Sequence, residues 1–203
     1  TRAHNELLIP TITEVLAEAG MEYSDLDAVV TGVGPGPFTG LRVGMATASA
    51  LADALSIPLH GICTHDAIAA AAELHVDPAA AADEATALVA TDARRKEIYW
   101  ATYRATDSGV QRISGPAVTK PAELEVELTS TAEVIIPDRL AEQLPELLAA
   151  LPHRAAQPTA AALVAAADLE AEPAPVVPLY LRRPDAVPPK QQQLSAAIPK
   201  VEL

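Results

Sequence analysis

Apolar positions along the chain follow a helical period in some stretches and a strand period in others. Over residues 5–19, Leu8, Ile12, Val15, Leu16 and Ala19 recur at helical spacing, and Leu7 and Ile9 widen the apolar face. Pro10 belongs in the first turn or marks a kink, and Gly20 suits a C-terminal cap. Residues 24–31 lead into a strand, Asp27 to Thr31. A second helical run covers 40–55. Further strands are predicted at 57–63, 87–92, 97–105, 114–118, 133–136 and 176–181, and further helices at 66–74, 122–128, 138–150 and 159–169. Strands alternating with helices predict α/β layers. An Ala/Asp/Glu-rich connection spans 76–86, and a composition shift near 87 divides a first lobe, 1–87, from a second, 88–186. Residues 187–203, rich in Pro and Gln, are expected to be a mobile tail.

The helix at 40–55 is unusual. Arg42 and Asp53 are its only charges, and Gly44, Ala48 and Ala52 repeat every four residues as a smooth ridge. Such a ridge lets another helix approach closely, and a helix apolar nearly all round must be covered on more than one side. Two readings stay open: burial inside one core, or an interface shared with helix 5–19. The interface reading assigns Leu8, Ile12, Leu16, Leu41, Arg42, Gly44, Met45, Ala48, Leu51 and Ala52 to partner contact.

The chain has 203 residues, half of them apolar and few aromatic, enough to bury a real core. Its formal net charge of −13 repels phosphate backbones, so the isolated chain is expected to bind nucleic acid poorly. Arg94-Arg95-Lys96 is the only basic run and reads as a solvated turn. The single cysteine, Cys63, allows no internal disulfide and reads as a small buried hydrophobe. No apolar run reaches membrane-spanning length and no signal peptide is visible, which predicts a cytoplasmic protein with no membrane partner.

The densest local signal is Gly-Val-Gly-Pro-Gly-Pro-Phe-Thr-Gly-Leu-Arg-Val-Gly at 32–44, between a strand and a helix. Such a loop either offers amides to a phosphate or uses glycine for positive φ and close approach. The spacing is neither GxGxxG nor GxxxxGK[ST] and contains no lysine, so Gly34, Gly36, Thr39 and Gly40 read as a structural loop.

This segment resembles the TsaB (YeaZ) family, accessory proteins of bacterial tRNA threonylcarbamoyladenosine (t6A) synthesis. The resemblance extends over His4 with Glu6 to Pro10, Leu26 to Ala28, Thr91 to Ala101, Pro158-Thr159 and Pro178 to Arg182, in the family's order. It implies the actin-like (ASKHA) fold of two ribonuclease-H-like lobes. The family pattern opens with an Asp-Thr strand and a hairpin, whereas this sequence starts at the first helix. The first lobe is therefore expected to lack its opening strands and to carry an unpaired edge.

The resemblance also implies partners: the catalytic subunit TsaD, the ATPase TsaE, a second copy of the chain, and tRNA indirectly through the complex. The catalytic relative carries His-x-x-x-His for a metal where this chain has Thr64 and Ile68. Isoleucine cannot ligate a metal, and His65, one position out, reads as a helix-start or surface residue. His4, His60, His75 and His153 are scattered. The relative's phosphate-gripping Gly-Gly turn is here Asp92-Ala93-Arg94, where Asp92 reads as a turn or capping residue. No nucleophile signature is present. No catalytic, cofactor-binding or metal residue is therefore expected in the isolated chain, and a nucleotide at the TsaD junction stays open. The reading that follows is a non-catalytic scaffold. The alternatives are an ASKHA phosphotransferase or metallopeptidase with its own active site, and a plain structural homodimer.

Overall fold

The computed structural model describes residues 4–72, 86–106, 109–126 and 133–182, with the side chains of residues 4–6 left out. Helix α1 spans His4–Glu18, with Pro10 inside it, and α2 spans Phe38–Leu55. Between them lies strand β1, Val29–Gly34, and after α2 come β2, Leu59–Cys63, and α3, Thr64–Ala71. The chain continues through β3 (Thr86–Asp92), β4 (Ile98–Thr106), β5 (Gly109–Thr119) and β6 (Glu133–Ile135). Two four-residue helices follow, α4 at Asp138–Ala141 and α5 at Glu146–Ala149. The two-residue strand β7, His153–Arg154, and helix α6, Ala160–Ala165, complete the order.

Two sheets result. β1 and β2 pair in parallel, and a five-stranded mixed sheet runs β5-β4-β3-β6-β7. β3 is antiparallel to β4, with Leu88 opposite Thr102, and parallel to β6, with Leu88 opposite Val134. β3 reads as a continuous apolar run because both of its faces are covered. Leu88 and Ala90 join Val134, Leu140, Leu144 and Leu148 on one face. Val89 joins Ala101, Tyr103, Ile135, the α3 residues Ile68 and Ala69, and Ala72 at the C-cap of α3 on the other. A helix that directly continues β2 of the small sheet thus forms the core of the large one.

Several expected elements take another form. Residues 138–150 form two short helices, because Pro145 has no amide to donate and stands at the N-cap of α5. Residues 121–123 form one 3-10 turn where a helix at 122–128 was expected. Residues 176–181 form no strand. Pro175 and Pro178 cannot donate to a ladder, and this segment's backbone link to β1 is Leu179 N–H to Val33 O, 2.8 Å. Helix α2 begins at Phe38, so Thr39 and Gly40 belong to its first turn. The connection at 76–85, the ends of two expected helices at 73–74 and 127–128, His75 and the tail at 187–203 lie outside the described residues.

Gly34 is the loop glycine with a structural requirement. Its φ is +103°, and a Cβ there would lie 3.3 Å from Leu41 Cδ2 and 3.4 Å from the Leu179 carbonyl oxygen. Gly36, Gly40 and Gly44 face open space. Gly34→Ala is expected to cost about 2 kcal/mol through backbone strain and crowding, read as a lower thermal midpoint, whereas Gly36→Ala changes it little.

Candidate interaction surface and cleft

Helix α2 turns Met45, Ala48 and Ala52 inward, while Gly44, the first position of the small ridge, faces open space. Met45, Ala48 and Ala52 are buried within the chain. These three belong to the protein's own core, which corrects their assignment to a partner surface: the sheet needs a smooth helix face to pack closely. Leu41 reaches the Gly34 loop. Arg42 is committed as well: its guanidinium carbon lies 4.2 Å from the Phe38 ring centroid, and its Nε–H donates to Tyr180 Oη at 2.8 Å. Phe38 and Tyr180 stack, centroids 4.7 Å apart and ring planes 22° from parallel. Arg42 therefore ties α2 to the segment after α6, a long-range link that spacing within one helix could not reveal. Leu51 and Gly44 are half-buried.

Helix α1 is different. Leu8, Ile12 and Leu16 form a half-buried stripe, while Leu7, Ile9 and Val15 are 55%, 45% and 57% exposed. Leu7 and Val15 flank this stripe on one side and Ile9 flanks it on the other, so Leu7 and Val15 together carry the apolar surface into water along one flank of α1.

A cleft of about 350 Å³ lies between the 36–38 loop, the β3–β4 turn and residues 179–182. Asp92 is its carboxylate. Oδ1 accepts the Arg94 amide at 2.7 Å and Oδ2 pairs with Arg139 at 2.9 Å. Partial burial alone would raise its pKa. The Arg94 amide and the Arg139 guanidinium outweigh that and hold the carboxyl below its usual range, as a turn anchor.

Beneath the cleft, at the start of α3, Cys63, His65, Asp66, Tyr103 and Arg112 meet. Tyr103 Oη donates to Asp66 Oδ1 at 2.8 Å, and Arg112 Nη1 stands 3.6 Å from the same oxygen. Burial raises the Tyr103 hydroxyl and the Cys63 thiol, and the Asp66 charge adds to both. His65 starts the helix as expected, but it is fully buried rather than at the surface, with Nε2 2.9 Å from Thr91 Oγ1. Burial, with help from Arg112, lowers its pKa to about 4. Ile68, the residue in the second metal-ligand position, is in the core. Among the described residues no three of His, Cys, Asp and Glu gather as metal ligands, and no helix is long and apolar enough to cross a membrane.

A family model described as TsaD, tRNA N6-adenosine threonylcarbamoyltransferase, matches residues 1–169. A Mycobacterium tuberculosis protein described as uncharacterized is 45% identical over 92% of this chain and 79% of its own length. The tRNA threonylcarbamoyladenosine biosynthesis protein TsaB of Escherichia coli is 34% identical over 54% of this chain and 45% of its own length. The solved structure of YeaZ from Pseudomonas aeruginosa superposes with a TM-score of 0.71 at 25% identity, covering 89% of this chain and 85% of that one. The chain belongs to the TsaB (YeaZ) branch of this family. Its fold is accordingly the actin-like (ASKHA) fold, and the family's work is t6A biosynthesis.

His65 gives the fold a pH dependence. The buried ring is favoured neutral, so the unfolded chain binds the extra proton between the two pKa values. Stability is full above about pH 6.5 and declines as the pH falls toward about 4, by on the order of 3 kcal/mol. Denaturant titrations at pH 7.5 and 4.5 should show this decline in the native chain and a much smaller one in His65→Gln.

Proposed function

We propose that the chain is the non-catalytic subunit of a t6A-synthesising complex, and that it binds and activates TsaD through the outer face of α1 beside α2. The observation that carries this reading is the exposed apolar flank of Leu7 and Val15 on a helix that packs loosely against the rest of the chain. A face of that kind is stabilised by a partner's apolar surface. The chemistry points the same way: isoleucine stands where the catalytic relative needs a metal-binding histidine, and Asp92 is occupied as a turn anchor. The same α1 face serves a second copy of the chain when TsaD is absent, and TsaE completes the assembly. A nucleotide, if one is used, belongs to the junction with TsaD. The tRNA substrate puts this work in the cytoplasm.

Because Leu7 and Val15 are exposed, charges placed there are solvated in the free chain and cost it little. In a closed interface the same charges are buried unpaired, at several kcal/mol. Leu7→Glu/Val15→Glu is expected to keep its circular dichroism spectrum and to lose at least a hundredfold in affinity for TsaD by sedimentation. t6A should then disappear from cellular tRNA. A folded variant that binds TsaD normally refutes the assigned surface, and a variant that loses binding while t6A persists refutes the assigned role.

A further inference from the structure

Residues 179–182 are anchored to both sheets. On the side of the small sheet, the Leu179 amide donates to the Val33 carbonyl near the end of β1 at 2.8 Å. Tyr180 Oη accepts the Arg42 Nε–H of α2 at 2.8 Å, and the Tyr180 ring stacks on Phe38 at the start of that helix. On the side of the large sheet, Arg182 Nη1 donates to the Ala93 carbonyl at 3.1 Å, and the guanidinium pairs with Glu97. Both partners belong to the β3–β4 turn. The Arg182 side chain is only 22% exposed, so water screens this pair less than one in the open.

Three residue steps separate the Leu179 and Arg182 anchors, a backbone reach of at most about 10 Å. The same residues line the cleft between the 36–38 loop and the β3–β4 turn. Opening the cleft beyond that reach breaks one anchor. The sheets are also joined through α3, which continues β2 and packs on β3, and through α6, which packs on α3 and β1. Those contacts gather around α3 and leave rotation about it open. The tie at 179–182 lies beyond the end of β3 and opposes that rotation. Its contacts are polar or aromatic and partly exposed, a kind that opens locally more readily than an apolar core.

We propose that residues 179–182 are a latch: engaged, it fixes the width of the cleft, and released, it lets the small sheet and α2 swing about α3 relative to the β3–β4 turn. The inference is independent of the t6A reading.

The test measures the distance between spin labels on Ser49→Cys in α2 and Glu142→Cys after α4, in the full chain carrying Cys63→Ala. Both label sites are exposed and outside the latch. With the latch intact, one narrow distance distribution is expected. Tyr180→Ala/Arg182→Ala should keep the circular dichroism spectrum and give a shifted distribution about twice as broad, as a hinge motion produces. In that variant the Leu179 amide should exchange at least about tenfold faster, while the β3 amides keep their protection. Tyr180→Phe/Arg182→Gln preserves the size of both side chains and removes the Arg42 hydrogen bond and the Glu97 ion pair. It should broaden the distribution too, and it decides the matter if the alanine variant does not fold. A distribution with the latch intact that is already as broad as the variants' overturns the proposal. So does a folded variant with an unchanged distribution, or one whose β3 amides lose protection along with Leu179, which would make the segment a general support of the fold.

Discussion

The packing of α3 against the large sheet is the contact on which the rest of the molecule depends. α3 leaves β2 without a linker, and its Ile68, Ala69 and Ala72 fill the space over Val89, Ala101, Tyr103 and Ile135. Alanines let the helix come close to the strands, so the fit tolerates little change in volume. Two polar pairs lie along this seam, His65 Nε2 with Thr91 and Asp66 with Tyr103, while the buried His65 Nδ1 has no hydrogen-bond partner. Arg154, on the short strand β7, pairs with Glu133 and donates to the Ala72 carbonyl at the end of α3. One short helix therefore joins the two sheets.

The sequence made the repetitive parts of this structure legible. The β3–β4 hairpin forms where β-branched and aromatic content and a basic turn place it, and Thr159 caps α6 with its hydroxyl accepting the Ala162 amide at 3.1 Å. Misreadings occurred where a non-local contact overrides a local pattern. Val176 to Leu181 has strand composition, but its prolines leave it as an irregular strap, with Val176 against Gly61 and Tyr180 against Arg42. β7 is two residues long and carries no period. The ridge on α2 could have faced a partner or its own sheet, because spacing defines a smooth face without saying what covers it. Ala48 and Ala52 of the ridge are buried within the chain, and the docking surface proposed above lies on α1.

In the cleft, the positions that the resemblance matches to the catalytic relative's site hold other residues. The position of the second metal ligand holds a core isoleucine, and the histidine beside it is buried and kept neutral. The carboxylate at the turn is fixed by an amide and an arginine. The surface carries apolar side chains on α1 and the stacked Phe38 and Tyr180 rings beside Arg42 at the cleft.

The central claim is that α1 is weakly supported in the free chain and gains its cover from TsaD. Amide hydrogen exchange of the isolated chain and of the TsaD complex measures this directly. In the free chain α1 should exchange orders of magnitude faster than β3, whose amides are shielded on both faces. On complex formation α1 should become strongly protected while β3 is unchanged. An α1 already as protected as β3 in the free chain, or protection that appears elsewhere and leaves α1 fast, would contradict the account.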